Sequence, residues 1–436
     1  MNNPILKLLQ HRADAREKGL WSCCSANEYV LRAALRRAKA NDTVALVEAT
    51  ANQVNQNGGY TGMTPVDFHA FVERLAREEG LAPGKVLCGG DHLGPLTWRH
   101  LPEADAMGHA QELVRAYVLA GFSKIHLDTS MRLAGDDPDR RLPDALIAGR
   151  AARLCRAAED AFLQYQKGCP EAPAPVYVVG SEVPVPGGAQ ENEDSVAVTA
   201  PEACEAALAE FERAFACQGL TDAWRRVAAL VVQPGVEFAD ESVVTYDRAA
   251  ASGLTACLDR HPGLVFEGHS TDYQPKERLR EMVEDGIAIL KVGPALTFAL
   301  REGLFALEQI EQELYRVRDF PPSHFRAVLE QAMLEDSSQW AGYYRGGTEQ
   351  KRYARAFSYS DRARYYLTNG KVRGAVELLL KNLDAAPVPP ALLSQYLPVQ
   401  YARVHAGALP PRAADLLIDR VGDCIDDYLY AVLEDK

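Results

Sequence analysis

Positive charge is in short supply in this chain: 47 Lys and Arg stand against 60 Asp and Glu, a formal net charge of −13. That balance speaks against a nucleic-acid or anionic-membrane surface, whose first requirement is a basic patch. Any anionic substrate therefore needs a local basic pocket or a helix N-terminus. Long apolar runs are missing too. No stretch approaches the roughly 20 residues of a membrane span, and the first twenty residues are polar and charged, so no signal peptide is expected. The nine cysteines are odd in number and scattered, with Cys23 and Cys24 adjacent. They lack the spacing of a disulfide framework or zinc knuckle, and free, mostly buried thiols in a reducing cytoplasm are expected. There is also no Gly-rich dinucleotide fingerprint after the first apolar run and no Walker-type loop, so the sequence supports neither a Rossmann cofactor site nor a P-loop kinase.

What is present is an ordinary globular composition, 47% hydrophobic and 25% charged over 436 residues. Short Val/Ile/Leu-rich runs at 20–24, 43–49, 86–89, 124–128, 176–180, 228–233, 264–267 and 288–292 alternate with amphipathic helical patterns. The runs lack strict alternation, as parallel strands buried on both faces do. Eight such units in about 300 residues predict an α/β TIM (β/α)8 barrel; a doubly wound open sheet is the runner-up. Beyond Arg318-Asp319-Phe320-Pro321-Pro322 the pattern turns wholly helical. A barrel over residues 1–318 with a C-terminal helical extension over 319–436 is therefore expected.

Polar residues gather after the predicted strands, which in a barrel brings them to one mouth. Gly89-Gly90-Asp91-His92-Leu93-Gly94-Pro95 places an acid beside an imidazole where the third strand runs into glycines. Asp91 reads as a proton shuttle and His92 as a divalent-metal ligand; a helix-capping Asp beside a His in a polar niche is the alternative. Glu182, after the fifth strand and before Pro184-Val185-Pro186-Gly187-Gly188, reads as an acid–base or metal-ligating carboxylate, or as half of a buried ion pair. Glu267-Gly268-His269-Ser270-Thr271-Asp272 ends the seventh strand. Gly293-Pro294, opening a helix beside Lys291, suits a phosphate, or is plain helix initiation. The amide-rich loop that starts at Glu48 and includes Asn52 and Gln53 suits a polyol. Lys124, His126 and Asp128 alternate and share one face of the fourth strand. For residues 360–366 a surface helix is the simpler reading, against arginines carried over the mouth.

Several stretches together are very similar to the GatZ/KbaZ family: Asn52-Gln53-Val54-Asn55-Gln56, Gly59-Tyr60-Thr61-Gly62-Met63-Thr64-Pro65, the Asp91-His92 run, Glu182-Val183-Pro184-Val185-Pro186-Gly187-Gly188, Val232-Gln233-Pro234-Gly235, His269-Ser270-Thr271-Asp272-Tyr273, Leu290-Lys291-Val292-Gly293-Pro294 and Ser394-Gln395-Tyr396-Leu397-Pro398. The resemblance implies a TIM barrel that acts as the so-called non-catalytic subunit of D-tagatose-1,6-bisphosphate aldolase beside a class II aldolase catalytic subunit. Some relatives have been labelled tagatose 6-phosphate kinases, and others are credited with 4-epimerisation of ketohexoses. Class II aldolases are a more distant likeness, in which Asp91 and His92 match an acid and a zinc ligand, and Glu182 a glutamate after strand five. Two further zinc histidines of that pattern fall near Gln233 and on Glu267, which leaves a rearranged site of His92, His269 and Glu182.

On these grounds Asp91 and Glu182 are the expected catalytic residues, and His92, His269 and Glu182 the ligands of a divalent metal, zinc or similar. Glu48, Asn52, Gln53, Asp128, Gln233, Asp272 and Lys291 are the expected contacts to a ketose or ketose phosphate. The chain is read as an aldolase subunit in an oligomer with a class II partner. The alternative is a self-sufficient ketohexose 4-epimerase working by retro-aldol cleavage and re-addition.

Overall fold

Eight short apolar runs become the strands of a closed, all-parallel barrel: β1 Leu20–Cys23, β2 Ala45–Thr50, β3 Val86–Leu93, β4 Lys124–Leu127, β5 Val176–Val179, β6 Val227–Val232, β7 Val265–Gly268 and β8 Ile287–Val292. Each strand pairs with its neighbours in sequence, and β8 closes onto β1 through Leu20↔Ile289 to Cys23↔Val292. The structure is a computed structural model and describes residues 3–12, 15–183, 196–385 and 387–434. The predicted Pro184-Val185-Pro186-Gly187-Gly188 loop lies outside the described residues.

Period-two alternation organises the barrel interior in layers. At the N-terminal end the inward residues are apolar: Leu20, Leu46, Leu87, Val176, Val178, Val231, Val265 and Ile289 share a core with Ile5, Leu6 and Leu9 of the Pro4–His11 helix. That helix, capped by the Asn3 side chain on Ile5 N–H, covers the floor. Two residues further along β1, β2, β7 and β8 the inward positions turn polar, through Ser22, Glu48, Glu267 and Lys291, and Lys124 at the start of β4 joins them, all buried. The outward residues, such as Val47, Ile125, Phe266 and Leu290, join the larger core under the surrounding helices.

Two departures from the expected elements matter. The third strand does not stop at Gly89 but continues to Leu93. A two-stranded hairpin, Glu237–Phe238 with Val243–Val244, also follows β6. After the Pro294–Tyr315 helix come further helices, the last of which, Ala413–Val432, buries Leu417, Val421, Tyr428 and Val432, the apolar stripe visible in the sequence. It packs on β1 and on the Glu28–Asn41, Lys276–Glu284 and Pro294–Tyr315 helices. Arg37 reaches across to Asp419 and Asp426 at 3.0 and 2.7 Å. Among the described residues no helix is long and apolar enough to cross a membrane.

Candidate active site

Adjacent strand residues normally face opposite sides of a sheet, so Asp91 and His92 need a device to reach the same place. The device is a register shift on β3: Gly90 pairs with Ile125 but Leu93 with Leu127, three residues against two. This bulge re-aims the strand. His92 takes the left-handed φ of +48°, a conformation that costs a non-glycine residue about 1–3 kcal/mol and clusters at functional sites. Its backbone N–H, lost to the ladder, donates to His126 Nδ1 at 3.2 Å. Just beyond, β3 runs so close to the end of β4 that a Cβ on Gly94 would lie 1.6 Å from the Asp128 carbonyl oxygen.

Asp91, His92, His126 and His269 converge, each offering one ligand atom, with those atoms within 4.8 Å of one another and every residue buried. Two of the imidazoles are oriented from behind. His92 Nδ1 is 2.7 Å from Asp128 Oδ2, and His269 Nε2 is 3.0 Å from Glu267 Oε1. With those nitrogens donating, His92 Nε2 and His269 Nδ1 keep their lone pairs, the carboxylate–histidine arrangement found behind metal ligands. His126 Nε2 is buried without a hydrogen-bond partner among the described residues.

Beneath the cluster, Lys124 Nζ bridges Glu48 Oε2 at 2.9 Å and Glu267 Oε2 at 2.7 Å. Lys291 Nζ bridges Glu48 Oε1 at 2.8 Å and Asp91 Oδ1 at 3.1 Å. Four buried carboxylates (Glu48, Asp91, Asp128, Glu267) thus face two ammonium groups, an excess of two negative charges when the imidazoles are neutral. Buried charge needs compensation, and a divalent cation on an imidazole-rich donor set fits both the charge and the ligand chemistry.

Titration behaviour follows from these contacts. Burial alone would raise the Asp91 carboxyl, but Lys291 and the imidazoles outweigh it and hold it well below the usual range. Glu267 is likewise held low against burial by Lys124 and Lys291. Burial disfavours a charged His92, yet Asp91 and Asp128 prevail and its pKa rises. For His269 burial prevails and the pKa falls to about 4.

Above the cluster lies a cavity of about 90 Å³, lined in part by Asn52, Gln53, Asp91, His92, His269, Asp272 and Lys291. Of the other predicted site residues, Glu48 sits in the ion-pair layer below and Asp128 behind His92. The Gln233 side-chain oxygen accepts the Gly235 and Val236 N–H groups of its own turn. Glu182 stands apart from the four clustered residues. It accepts from Thr199 Oγ1 at 2.6 Å and lies 3.3 Å from Arg141, with its side chain 32% exposed.

The phosphate expectation at Gly293-Pro294 is altered by Asp272. Its Oδ1 accepts the Gly293 and Ala295 N–H groups at 3.1 and 2.8 Å, so a carboxylate of the chain occupies that helix start. Burial, opposed by those N–H groups and Arg364, raises the Asp272 pKa to about 6. Residues 360–366 also differ from the surface helix expected. They form a short 3-10 turn, Arg362–Tyr366, that brings Arg364 and Tyr365 to the mouth cavity beside Tyr60. His126 joins the cluster without having been among the expected site residues, although its alternation with Lys124 and Asp128 was the available signal. For Arg364 and Tyr365 the outcome is the lesser of the two readings given above, arginines carried over the mouth, and Tyr60 stands out only within the stretch similar to the family.

The profile of the family described as D-tagatose-1,6-bisphosphate aldolase subunit GatZ/KbaZ-like matches residues 5–433. Among solved structures the chain is similar to a probable tagatose 6 phosphate kinase from Sinorhizobium meliloti 1021, with 46% identity over 95% of this chain and 100% of that one, and a TM-score of 0.85. Remote likenesses include fructuronate-tagaturonate epimerase UxaE from Cohnella laeviribosi, at 12% identity over 94% and 81% of the two chains with a TM-score of 0.45. The YdjI aldolase from Escherichia coli K12 stands at 11% identity over 84% and 98%, with a TM-score of 0.40.

Proposed function

Because the chain belongs to the D-tagatose-1,6-bisphosphate aldolase subunit GatZ/KbaZ-like family, we propose that its barrel mouth is a divalent-metal site acting on a ketohexose by retro-aldol chemistry, with 4-epimerisation as the outcome. The observation that carries this reading is the pair of carboxylate-backed imidazoles, His92 on Asp128 and His269 on Glu267. Their remaining nitrogens meet Asp91 and His126 in a buried site whose four carboxylates outnumber its two ammonium groups. An inert scaffold gains nothing from burying and orienting those groups.

C4 of a 2-ketose is not alpha to the carbonyl, so simple deprotonation cannot invert it. Cleavage can. Asp91, held ionised by Lys291, takes the C4 hydroxyl proton. The C3–C4 bond breaks as C4 becomes an aldehyde, and the bonding pair moves through C3–C2 onto the C2 oxygen. Rotation of the aldehyde presents its other face. C3 re-adds, and Asp91 returns the proton to the C4 oxygen. A bound divalent cation supplies Lewis-acid stabilisation of the negative charge that develops on the ketose oxygens. His92 and His269, through the nitrogens left free, would hold it, with Asp91 and His126 beside them. Asn52 and Gln53, which line the cavity, supply amide donors and acceptors to the polyol. Glu182 is assigned no step here.

A second reading, an accessory subunit for a class II aldolase chain, is supported by the family's description as a subunit. Metal analysis of the purified chain, followed by incubation of fructose or tagatose with added zinc or manganese, separates the two. The first reading expects bound metal and interconversion of the two sugars. Absence of metal and of any epimer or triose, with activation of a co-expressed class II aldolase subunit, favours the second.

A further inference from the structure

Inversion at C4 sets a requirement that one carboxylate does not meet. The C4 oxygen faces Asp91 while its proton is taken. When the cleaved aldehyde turns over and the ketose end stays held, that oxygen swings to the other side. A proton donor is then needed where Asp91 is not. Asp91 reaches the cavity from the end of β3. Of the cavity's lining residues, Arg364 and Tyr365 come instead from the C-terminal extension.

Tyr365 is equipped for that place. Its hydroxyl oxygen accepts Arg364 Nη2 at 3.1 Å, and among the described residues its own O–H has no acceptor. A phenol both donates and accepts, so that proton is left for a ligand in the cavity. Two guanidiniums stand over the ring, Arg362 at 4.8 Å and Arg364 at 4.6 Å from its centre, and Tyr60 packs edge-on at 4.9 Å. Burial would raise the Tyr365 pKa, but Arg364 and Arg362 outweigh it and lower it. The same cations stabilise the phenolate left when the proton departs. Tyr60 lines the cavity too, yet burial pushes its hydroxyl up to about 12. Two other proton-bearing groups at the mouth are engaged elsewhere: Lys291 by Glu48 and Asp91, and Asp272 by the helix start at Gly293. The turn that carries Tyr365 is also held. Asp361, in the left-handed conformation at φ +43°, is tied to the Pro294–Tyr315 helix by Arg301 Nε at 2.8 Å and Thr297 Oγ1 at 2.6 Å. A donor fixed in this way needs no rearrangement when a ligand arrives.

We propose that Tyr365 is a second catalytic residue of the mouth, the group that protonates the C4 oxygen once the aldehyde has turned. In re-addition the C3–C4 bond forms, the Tyr365 O–H bond breaks, and its proton passes to the C4 oxygen. The proton that Asp91 took reaches the phenolate through water, so the return from Asp91 to the C4 oxygen runs by way of Tyr365. In the reverse direction the same steps run backwards. The inference rests on the retro-aldol reading of the mouth and deepens it.

Running the reaction as a condensation tests it. The full chain, with zinc or manganese added, is given dihydroxyacetone and labelled D-glyceraldehyde, and labelled fructose and tagatose are counted separately. Asp91 serves one face of the aldehyde and Tyr365 the other, so the unaltered chain is expected to form both sugars. Tyr365→Phe should lose one of them by at least about 100-fold, the low end of acid–base catalysis. It should keep forming the other and no longer interconvert the two. Arg364→Gln, which strips one cation from the phenol, should slow the same sugar and spare its epimer. A structural defect would move both sugars together. Equal loss of both from a Tyr365→Phe chain of unchanged melting temperature therefore overturns the proposal, as does a variant that still forms both. A near-ultraviolet titration needs no turnover. Arg364→Gln is expected to move the ionisation of one tyrosine to higher pH than in the unaltered chain. Absence of that shift overturns the proposal whether or not Tyr365→Phe folds. An unaltered chain that forms neither sugar sinks the retro-aldol reading itself, and with it the step assigned to Tyr365.

Discussion

Asp128 is not among the cavity's lining residues, yet its hydrogen bond to His92 Nδ1 sets which nitrogen of His92 faces inward. Removing the charge behind a ligand imidazole costs about 10- to 100-fold in metal affinity. Asp128→Asn is therefore expected to weaken zinc binding by that factor in a competition titration against a chelator, while the fold persists. Asp272 offers a pH test. Its folded pKa of about 6 lies above the ordinary carboxyl value of 3.8. Between those values the unfolded chain has lost the proton and the native chain keeps it, so this group makes stability fall as pH rises from about 4 to 6, with no further change above. Asp272→Asn still accepts the Gly293 and Ala295 N–H groups. The difference in stability between it and the unaltered chain should grow in the variant's favour across that window and then level off, as urea titrations at several pH values would show. At this scale the sequence was partly legible. Asp91, His92 and His269 stand out because strand ends carry them to the mouth. His126 needed a cross-strand partner, Asp91, for its chemistry to appear. Arg364 was ranked below a plain surface helix because its place depends on how a segment distant in sequence docks.

Among the elements, β3 and β4 do most to build the site. The reading that ended the third strand at Gly89 followed the low strand propensity of Gly89-Gly90, but pairing with both β2 and β4 overrides it. The glycines belong there for space. A Cβ on Gly89 would meet the Glu48 side chain at 2.9 Å, and one on Gly90 the Leu93 and Tyr117 side chains. β4 and the residue beyond it carry Lys124, His126 and Asp128 inward; their alternation put the three on one face without saying which. Lys124 separates two fully buried glutamates, Glu48 and Glu267. Taking away the cation from such a layer leaves uncompensated charge, with a cost of about 3–5 kcal/mol. Lys124→Met should show that loss in equilibrium unfolding, and a change below about 1 kcal/mol would mean that water reaches the layer. The Thr348–Phe357 helix went unread for a simple reason: it buries only Arg355, so it has no apolar stripe to display.

For the whole molecule, eight apolar runs spaced by amphipathic helices were enough to predict a closed barrel, since the polar bursts after them make sense only if they meet. Charge gives the corresponding prediction. If a divalent cation balances the excess of negative charge under the mouth, chelation should lower the melting temperature and added zinc or manganese restore it. A ligand at 100 times its dissociation constant stabilises by about 2.7 kcal/mol. A melting curve indifferent to chelator and metal would count against the metal reading.

The Ala413–Val432 helix has a consequence for the order in which the molecule matures. Tyr428 donates to the Thr271 carbonyl at 2.8 Å, immediately before Asp272, and Lys18 N–H, just ahead of β1, donates to the Val432 carbonyl. During synthesis, at about 5–20 residues per second, every barrel strand is made more than a hundred residues before these anchors exist. The nascent barrel must wait with its first strand and its seventh-strand loop untethered. Competence of the mouth is thus expected late, once the segment around Tyr428 has been made and ties the start of the first strand and the loop after the seventh to one helix.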